Sequence, residues 1–253
     1  TLKIEYYEHW VGAVMKFGFA VTSPPPPPPP PPSSSVLVGA GDIAKTPTSG
    51  EATAKLLDGI AGTALALGDN VYETGTLEEF NLYYEPTWGR HKSRTRPTIG
   101  NHEQLSGGTG YYTYFGESAG PAGLGYYSYD IGLWHIIALN SEIARTADSA
   151  QIQWLKNDLA ANPKLCTLAY WHSPLFSSGV VHSNDPSQKP FWDVLYGAGA
   201  DVVLNGHAHS YERFALQDPN GQANANGLRQ FIVGTGGADL SGFTAPQSNS
   251  EVR

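Results

Sequence analysis

An apolar run that stops at a carboxylate occurs at residues 64–72, Ala-Leu-Ala-Leu-Gly-Asp-Asn-Val-Tyr. Its first four residues have the length and character of a buried strand, and Gly68 then lets the backbone turn sharply before Asp69. The run Val36–Ala40 has the same form, since a glycine and Asp42 follow it. Functional side chains collect at such strand ends in α/β sheets, so both carboxylates are candidate site residues.

Further apolar runs of this kind occur along the chain, with helix-like stretches between them. The predicted strands are Val36–Ala40, Ala64–Leu67, Trp134–Leu139, Leu165–Tyr170, Val202–Leu204 and Gln230–Val233. The predicted helices are Glu51–Ile60, Leu77–Trp88, Ala150–Ala161 and Lys189–Tyr196. Short buried strands that alternate with amphipathic helices predict an α/β core.

The composition excludes some classes of protein. The 253 residues carry a formal net charge of −8, which argues against a general nucleic-acid binder, because such surfaces need lysine and arginine. No apolar stretch is long enough for a membrane span. Cys166 is the single cysteine, so the chain can form neither an internal disulfide nor a CxxC metal site.

Three more motifs bring nitrogen and oxygen donors to predicted strand ends. They are Gly100-Asn101-His102-Glu103, Trp171-His172-Ser173-Pro174 and Gly206-His207-Ala208-His209. The two histidines of the last motif are two residues apart and point the same way on extended backbone. Any one motif alone is more often a turn or a surface residue. With the two aspartates, however, they supply ligands for two metal ions, and such mixed donors suit iron, zinc or manganese.

The five motifs in this order resemble the calcineurin-like metallophosphoesterase superfamily, and within it the purple acid phosphatase branch. Many members have Asp-x-His in the first motif, whereas Asp42-Ile43-Ala44 lacks that histidine, as in purple acid phosphatases. In the second motif, Tyr72 stands where this branch has its iron-binding tyrosine. The resemblance covers about residues 36–240 and implies an α/β (α+β) fold, a two-sheet αββα sandwich.

The resemblance also implies the ligands of two metal ions, with Asp69 shared. One ion would be held by Asp42, Asp69, Tyr72 and His209, and the other by Asp69, Asn101, His172 and His207. The expected ions are Fe(III) plus Zn, Fe or Mn. A Tyr72 phenolate on ferric iron would make the protein purple, and the alternative for Tyr72 is ordinary aromatic packing beside the site.

The implied reaction is hydrolysis of phosphomonoesters by attack of a metal-bound hydroxide, without a covalent phosphoenzyme. His102 is expected to face the substrate, with Glu103 orienting it. His182 lies ten residues after His172, the offset at which purple acid phosphatases carry a histidine that faces the ester. We therefore expect His182 to protonate the leaving group.

The two ends of the chain differ from the middle. Alternating residues at 1–21 predict a β-hairpin, and Leu-Lys-Ile-Glu-Tyr-Tyr-Glu at 2–8 resembles the closing hairpin of a PA14 domain, a module associated with carbohydrate binding. Residues 23–35, rich in proline and serine, are expected to form a semi-rigid spacer, with a proline run about 28 Å long. The predicted domains are therefore 1–22, the remnant of a β-rich domain, and 36–253, the metallophosphoesterase. Residues 241–253 are predicted to be a polar loop, with the last edge of the fold missing.

The sequence is compatible with three functions. Phosphomonoester hydrolysis is the leading interpretation, and a phosphodiesterase with the same metal centre is the nearest alternative. The third is a carbohydrate-binding surface or filament component with a passenger phosphatase domain, suggested by the spacer and the PA14-like segment. The resemblance and the attached segments favour a secreted, periplasmic or cell-surface location.

Near the site, Glu212 and Arg213 are expected to pair with each other, and Asn205 to support the loop before His207.

Overall fold

The computed structural model describes residues 36–253 in full, and of residues 1–35 it describes the backbone of two strands. The predicted proline spacer at residues 23–35 lies outside the described residues. Among the described helices, none combines the length and the apolar character that crossing a bilayer requires.

The first sheet has five strands in the order β1-β2-β3-β4-β5. They are β1 (Leu2–His9), β2 (Gly12–Phe19), β3 (Val36–Ala40), β4 (Thr63–Leu67) and β5 (Thr95–Thr98). Strands β3, β4 and β5 are parallel, whereas β1 and β2 form an antiparallel hairpin whose second strand pairs with β3. We did not expect this last pairing, because alternation does not identify a strand's neighbour. The assignment of the hairpin to a separate domain stays a prediction.

The second sheet has seven strands in the order β12-β10-β11-β9-β8-β7-β6. They are β6 (Tyr127–Ile131), β7 (Trp134–Ala138), β8 (Cys166–Tyr170), β9 (Val202–Asn205), β10 (Tyr211–Phe214), β11 (Arg229–Val233) and β12 (Ser250–Val252). The central strands β7, β8, β9 and β11 are parallel, and the strands on both flanks run antiparallel to their neighbours.

The residues of β7 to β9 alternate between two hydrophobic clusters. Ile136, Leu168 and Leu204 pack in one cluster with Leu65 and Leu67 of the first sheet. Strand residues of the opposite parity pack in the second cluster: Ile137, Ala169 and Val203. Four side chains from two helices join them there: Ile152, Leu155, Phe191 and Leu195. Because successive strand residues point to opposite faces, the second sheet is covered on both sides. The predicted two-sheet sandwich is confirmed.

The helices agree with the predictions in three of four places. They are α1 (Glu51–Asp58), α2 (Leu77–Glu79), α3 (Asn101–Gln104), α4 (Thr109–Phe115), α5 (Ala150–Ala161) and α6 (Lys189–Gly197). The continuous helix predicted at Leu77–Trp88 is wrong: α2 passes into a π-helix at Phe80–Tyr84, and a 3₁₀-helix follows at Trp88–Arg94. Pro86 contributes to the break, since it lacks the N–H that a continuing helix would donate.

Two further predictions are also wrong. Residues 250–252 form β12 rather than part of a loop, and Glu251 on this strand accepts hydrogen bonds from Arg213 (3.2 Å) and Arg229 (2.8 Å). Glu212 and Arg213 do not pair with each other. They are consecutive on β10, so their side chains point to opposite faces, and Glu212 binds Ser178 instead.

Candidate metal centre

Two aspartates and a histidine at the site have left-handed backbone. Asp42 follows β3 with φ 61°, Asp69 follows β4 with φ 47°, and His207 follows β9 with φ 68°. They are the non-glycine residues with positive φ in the described part of the chain. Such conformations are strained for residues with a Cβ and cluster at functional sites, where surrounding contacts hold them. Here Asp42 Oδ2 accepts a hydrogen bond from the His207 amide at 2.8 Å.

Glycine is required where the site loops approach one another. A Cβ on Gly68 would lie 2.5 Å from Nδ1 of His172, and Gly68 also has a positive φ of 84°. A Cβ on Gly100 would lie 2.2 Å from both the amide nitrogen and Oδ1 of Asp69. The absence of side chains at these two positions lets donors from both sheets meet.

One group of donors surrounds Asp42. Its Oδ1 accepts the phenol hydrogen of Tyr72 at 2.9 Å and lies 3.3 Å from Nε2 of His209. The Tyr72 oxygen is 3.1 Å from the same His209 nitrogen. All three donor atoms therefore meet at one point, with Asp42 and Tyr72 buried.

A second group surrounds His172. Its Nε2 lies 3.1 Å from Asn101 Oδ1, 3.1 Å from Asp69 Oδ2 and 3.1 Å from Nδ1 of His207. The ligand atoms of Asp69, His172 and His207 all lie within 4.8 Å of one another. The fold thus brings together the seven side chains for which the sequence predicts a metal-binding role.

These contacts fit a bound cation better than a set of hydrogen bonds. His172 Nδ1 lies 2.9 Å from the carbonyl oxygen of Leu67, to which it can donate only if that nitrogen carries hydrogen. Nε2 carries at most one further hydrogen, yet three donor or acceptor atoms face it. Burial and the nearby His172 lower the pKa of His207 to about 2, so His207 is neutral and able to bind a metal ion. Burial opposes the charge on Asp69, but His172 outweighs this effect and lowers the pKa of Asp69, so a positive charge at this point stabilises the carboxylate.

His102 lies beside the two groups. Its amide donates to Asp69 Oδ1 at 2.9 Å, and its Nδ1 is 2.6 Å from the carbonyl oxygen of Glu73. The ring packs 4.4 Å from the ring of Tyr72, measured between centroids. Its Nε2 is 3.9 Å from Asp69 Oδ2, beyond hydrogen-bond distance.

The predicted role of Glu103 is wrong. This buried carboxylate does not contact the His102 ring but accepts hydrogen bonds from the amides of Val71 (3.1 Å) and Gly100 (2.8 Å). Glu103 is the third residue of α3, and from this position its side chain caps the helix start. It therefore joins the loop after β4 to the loop that carries Asn101.

The structure also brings His182 next to the two groups of donors. Its ring centroid is 3.9 Å from that of His207 and 6.0 Å from that of His209. Burial, followed by the nearby His209, lowers the pKa of His182. The loop after β8 thus carries two imidazoles at the site: His172, a predicted ligand, and His182, which is not in the predicted ligand set.

Backbone carbonyl groups orient the rings, and sequence patterns do not reveal them. His209 Nδ1 is 2.7 Å from the carbonyl oxygen of Asp239, as His172 is held by Leu67 and His102 by Glu73. Asn205, expected to support the loop, donates to the carbonyl of Trp171 at 3.0 Å. Such groups fix ring orientation around a metal centre.

The comparisons with known proteins agree with this geometry. The family model for calcineurin-like phosphoesterases matches residues 40–211. Purple acid phosphatase 15 of Arabidopsis thaliana is 34% identical over 128 residues, which are 49% of this chain and 24% of that protein. Acid phosphatase type 7 of Homo sapiens is 29% identical over 220 residues, which are 72% of this chain and 49% of that protein.

A solved structure shows the same fold. It is a purple acid phosphatase from seeds of yellow lupin (Lupinus luteus), which superposes with a TM-score of 0.67 at 17% identity and covers 94% of this chain and 52% of its own. The chain spans between a quarter and a half of the length of the two curated relatives. With its fold, its motifs and the family model in agreement, the chain belongs to the calcineurin-like phosphoesterase family.

Proposed function

We propose that this chain hydrolyses phosphomonoesters at a pair of metal ions. The observation that carries the proposal is the convergence of oxygen and nitrogen donors from both sheets on two adjoining points, around Asp42 and around His172. Asp69 contacts the second point directly, since its Oδ2 lies 3.1 Å from Nε2 of His172.

The proposed ligands form two sets that share Asp69. They are Asp42, Asp69, Tyr72 and His209 for one ion, and Asp69, Asn101, His172 and His207 for the other. Phenolate, carboxylate and imidazole together suit Fe(III) with Zn, Fe or Mn as the second ion. Bound there, the ions would activate a water molecule and neutralise the phosphate oxygens.

His102 is proposed to bind the phosphate. The Glu73 carbonyl accepts from its Nδ1, which leaves Nε2 to donate to a phosphate oxygen. Because the transition state gains negative charge, a preoriented donor at this position stabilises it more than the substrate.

His182 is proposed to donate a proton to the leaving oxygen. Its ring lies against that of His207, with 3.9 Å between the ring centroids. Burial lowers the pKa of the free ring, and a phosphate dianion beside it raises the pKa again. The complex with substrate therefore favours the protonated form that a general acid needs.

We further propose that residues 36–253 form the phosphoesterase domain, because every proposed ligand lies within it. A secreted, periplasmic or cell-surface location follows from the same family resemblance. Carbohydrate binding by residues 1–22 stays a prediction.

The test compares phenyl phosphate with diphenyl phosphate as substrates of the metal-loaded chain. We expect the monoester to react at least about tenfold faster. Asp69→Asn should lower kcat for the monoester about a thousandfold, since it removes the shared ligand. The control Asp193→Asn changes an exposed carboxylate on α6 and should leave the rate unaltered. A faster diester reaction would support the diesterase, and no hydrolysis of either ester would refute both.

A further inference from the structure

Four exposed apolar side chains lie on two loops next to the candidate metal centre. They are Val180, Val181, Leu240 and Phe243, which we call the apolar rim, and they are 56%, 65%, 62% and 37% exposed. Single exposed apolar residues are ordinary on protein surfaces, but a group of them beside a site commonly marks a binding surface.

Backbone hydrogen bonds join the two loops of the apolar rim. The Val180 amide donates to the carbonyl of Gly242 at 3.0 Å, and the Thr244 amide donates to the carbonyl of Ser178 at 2.8 Å. Gly179 and Phe243 form an antiparallel bridge between these contacts. The four apolar residues therefore belong to one continuous piece of surface.

Both loops are attached to histidines of the site. Val181 directly precedes His182, whose ring packs 3.9 Å from that of His207. Leu240 stands between two residues that bind His209: the Asp239 carbonyl lies 2.7 Å from its Nδ1, and the Ser241 amide donates to its carbonyl at 2.8 Å. The apolar rim therefore lies on loops that also position His182 and His209, next to the place proposed for the phosphate.

The charged groups at the same opening are mainly acidic. Glu73 and Asp239 are 67% and 85% exposed, and each is linked to a site histidine through its backbone carbonyl. Lys45, which also lies there, is engaged by Asp239 at 2.7 Å. Because Lys45 offsets Asp239, Glu73 is the acidic side chain that a second phosphate or carboxylate of a substrate would meet, and its charge would disfavour such a group.

We propose that the apolar rim binds the organic part of the substrate, so that the preferred phosphomonoesters carry an uncharged alkyl or aryl group. This inference rests on the proposed function, because it concerns the same site. The expected preference is graded, since each methylene that leaves water contributes to binding in proportion to its buried area.

The experiment uses n-alkyl phosphates from methyl to hexyl, whose leaving groups differ little in pKa. For the metal-loaded chain we expect kcat/KM to rise about tenfold along the series, less than full burial would give because the rim is open. Hexane-1,6-diyl bisphosphate, which carries a second phosphate, should react more slowly than hexyl phosphate.

Val181→Ser and Phe243→Ser should each flatten the dependence on chain length. Leu165→Ser is the matched control: Leu165 is 74% exposed but precedes β8, at the edge of the sheet opposite His172, so this variant should keep the full dependence.

Binding of n-alkyl phosphonates, measured by calorimetry, separates this inference from the proposed function. Affinity that rises with chain length without hydrolysis of any ester would support the apolar rim and refute the phosphatase. Hydrolysis with rates and affinities independent of chain length would refute the rim and retain the phosphatase; the exposed residues would then serve another contact, such as a protein segment. Equal chain-length dependence in Phe243→Ser, Val181→Ser and the unchanged chain would also overturn the inference.

Discussion

At the scale of single residues, Tyr72 offers the sharpest prediction. Its phenol oxygen lies 2.9 Å from Asp42 Oδ1 and 3.1 Å from His209 Nε2. Burial, then the charge of Asp42, raises the pKa of Tyr72 well above its usual value, so a strongly charged ion is needed to deprotonate it. We expect the iron-loaded chain to absorb in the visible range and Tyr72→Phe to lose this band while still folding.

Tyr111→Phe is the matched control for that spectrum, since Tyr111 is a buried phenol that donates to the Pro97 carbonyl and is not one of the proposed ligands. It should keep the band. A colourless and fully active dizinc or dimanganese form, with no band in the iron form, would contradict the role of Tyr72.

His182→Ala tests the proposed general acid. Alkyl phosphates have poor leaving groups and depend on protonation, so we expect their kcat to fall at least about a hundredfold, against less than tenfold for aryl phosphates. Ser183→Ala, a change at the exposed neighbour, should affect neither class. Equal losses for both classes in His182→Ala would show that this ring only packs against His207.

Sequence reasoning identified the residues of the cluster because each motif is short, contiguous and ordered along the chain. It failed for Glu103, because the sequence does not show that this carboxylate turns from His102 to the amides of Gly100 and of Val71, 32 residues before it. It also could not identify the carbonyl groups of Leu67, Glu73 and Asp239, because every residue has a carbonyl and only the fold selects three of them.

At the scale of elements, Glu212 links β10 to the loop that carries His182. Its buried carboxylate accepts from the Ser178 amide (2.8 Å), the Ser178 hydroxyl (2.5 Å) and the Ser250 hydroxyl (2.5 Å). Glu212→Gln removes one acceptor oxygen, so we expect unfolding free energy to fall by about 1–3 kcal/mol in denaturant titrations. Glu251→Gln, which weakens only exposed ion pairs, should cost less than about 1 kcal/mol. Equal costs would contradict this role.

His135 joins β6, β7 and α5. Its ring nitrogens lie 2.9 Å from Asp130 and 2.8 Å from Asp158, and Lys164 is 3.0 Å from the other oxygen of Asp130. Burial alone would lower the pKa of His135, but hydrogen bonds to the two carboxylates outweigh it and raise the pKa. A raised pKa means that the contribution to stability is complete below the unfolded value of about 6.5 and is lost as the pH rises through the folded value.

His135→Gln should therefore destabilise the chain more at pH 5 than at pH 9, where both side chains are neutral. We expect the difference to be about 1–2 kcal/mol in unfolding free energy. Asn157→Gln, at an exposed position of α5, is the control and should show no such dependence on pH. The same cost at both pH values would contradict the charged pairing.

Elements with a strong apolar period were predictable, whereas elements defined by distant partners were not. Strands β3, β4, β8 and β11 and helices α1, α5 and α6 match their predicted positions within about two residues. Strand β12 has three polar or exposed residues, and its signal is its pairing with β10 rather than its sequence. Likewise, β5 contains a proline, which is unusual in a sheet.

At the scale of the whole molecule, the two sheets place their loops on one shared edge. Asp42 and Asp69 come from the first sheet and His172, His207 and His209 from the second, so the site exists only when both are packed. The family resemblance predicted this sandwich. It did not predict that β11 lies between β9 and β10, or that the hairpin of β1 and β2 extends the first sheet.

The proposed pair of metal ions is tested most directly by titrating the metal-free chain with iron and zinc while phenyl phosphate hydrolysis is followed. We expect the rate to rise to a plateau at two ions per chain, because one ion alone leaves the second ligand set unused. A plateau at one ion, or no hydrolysis with any combination of iron, zinc and manganese, would contradict it.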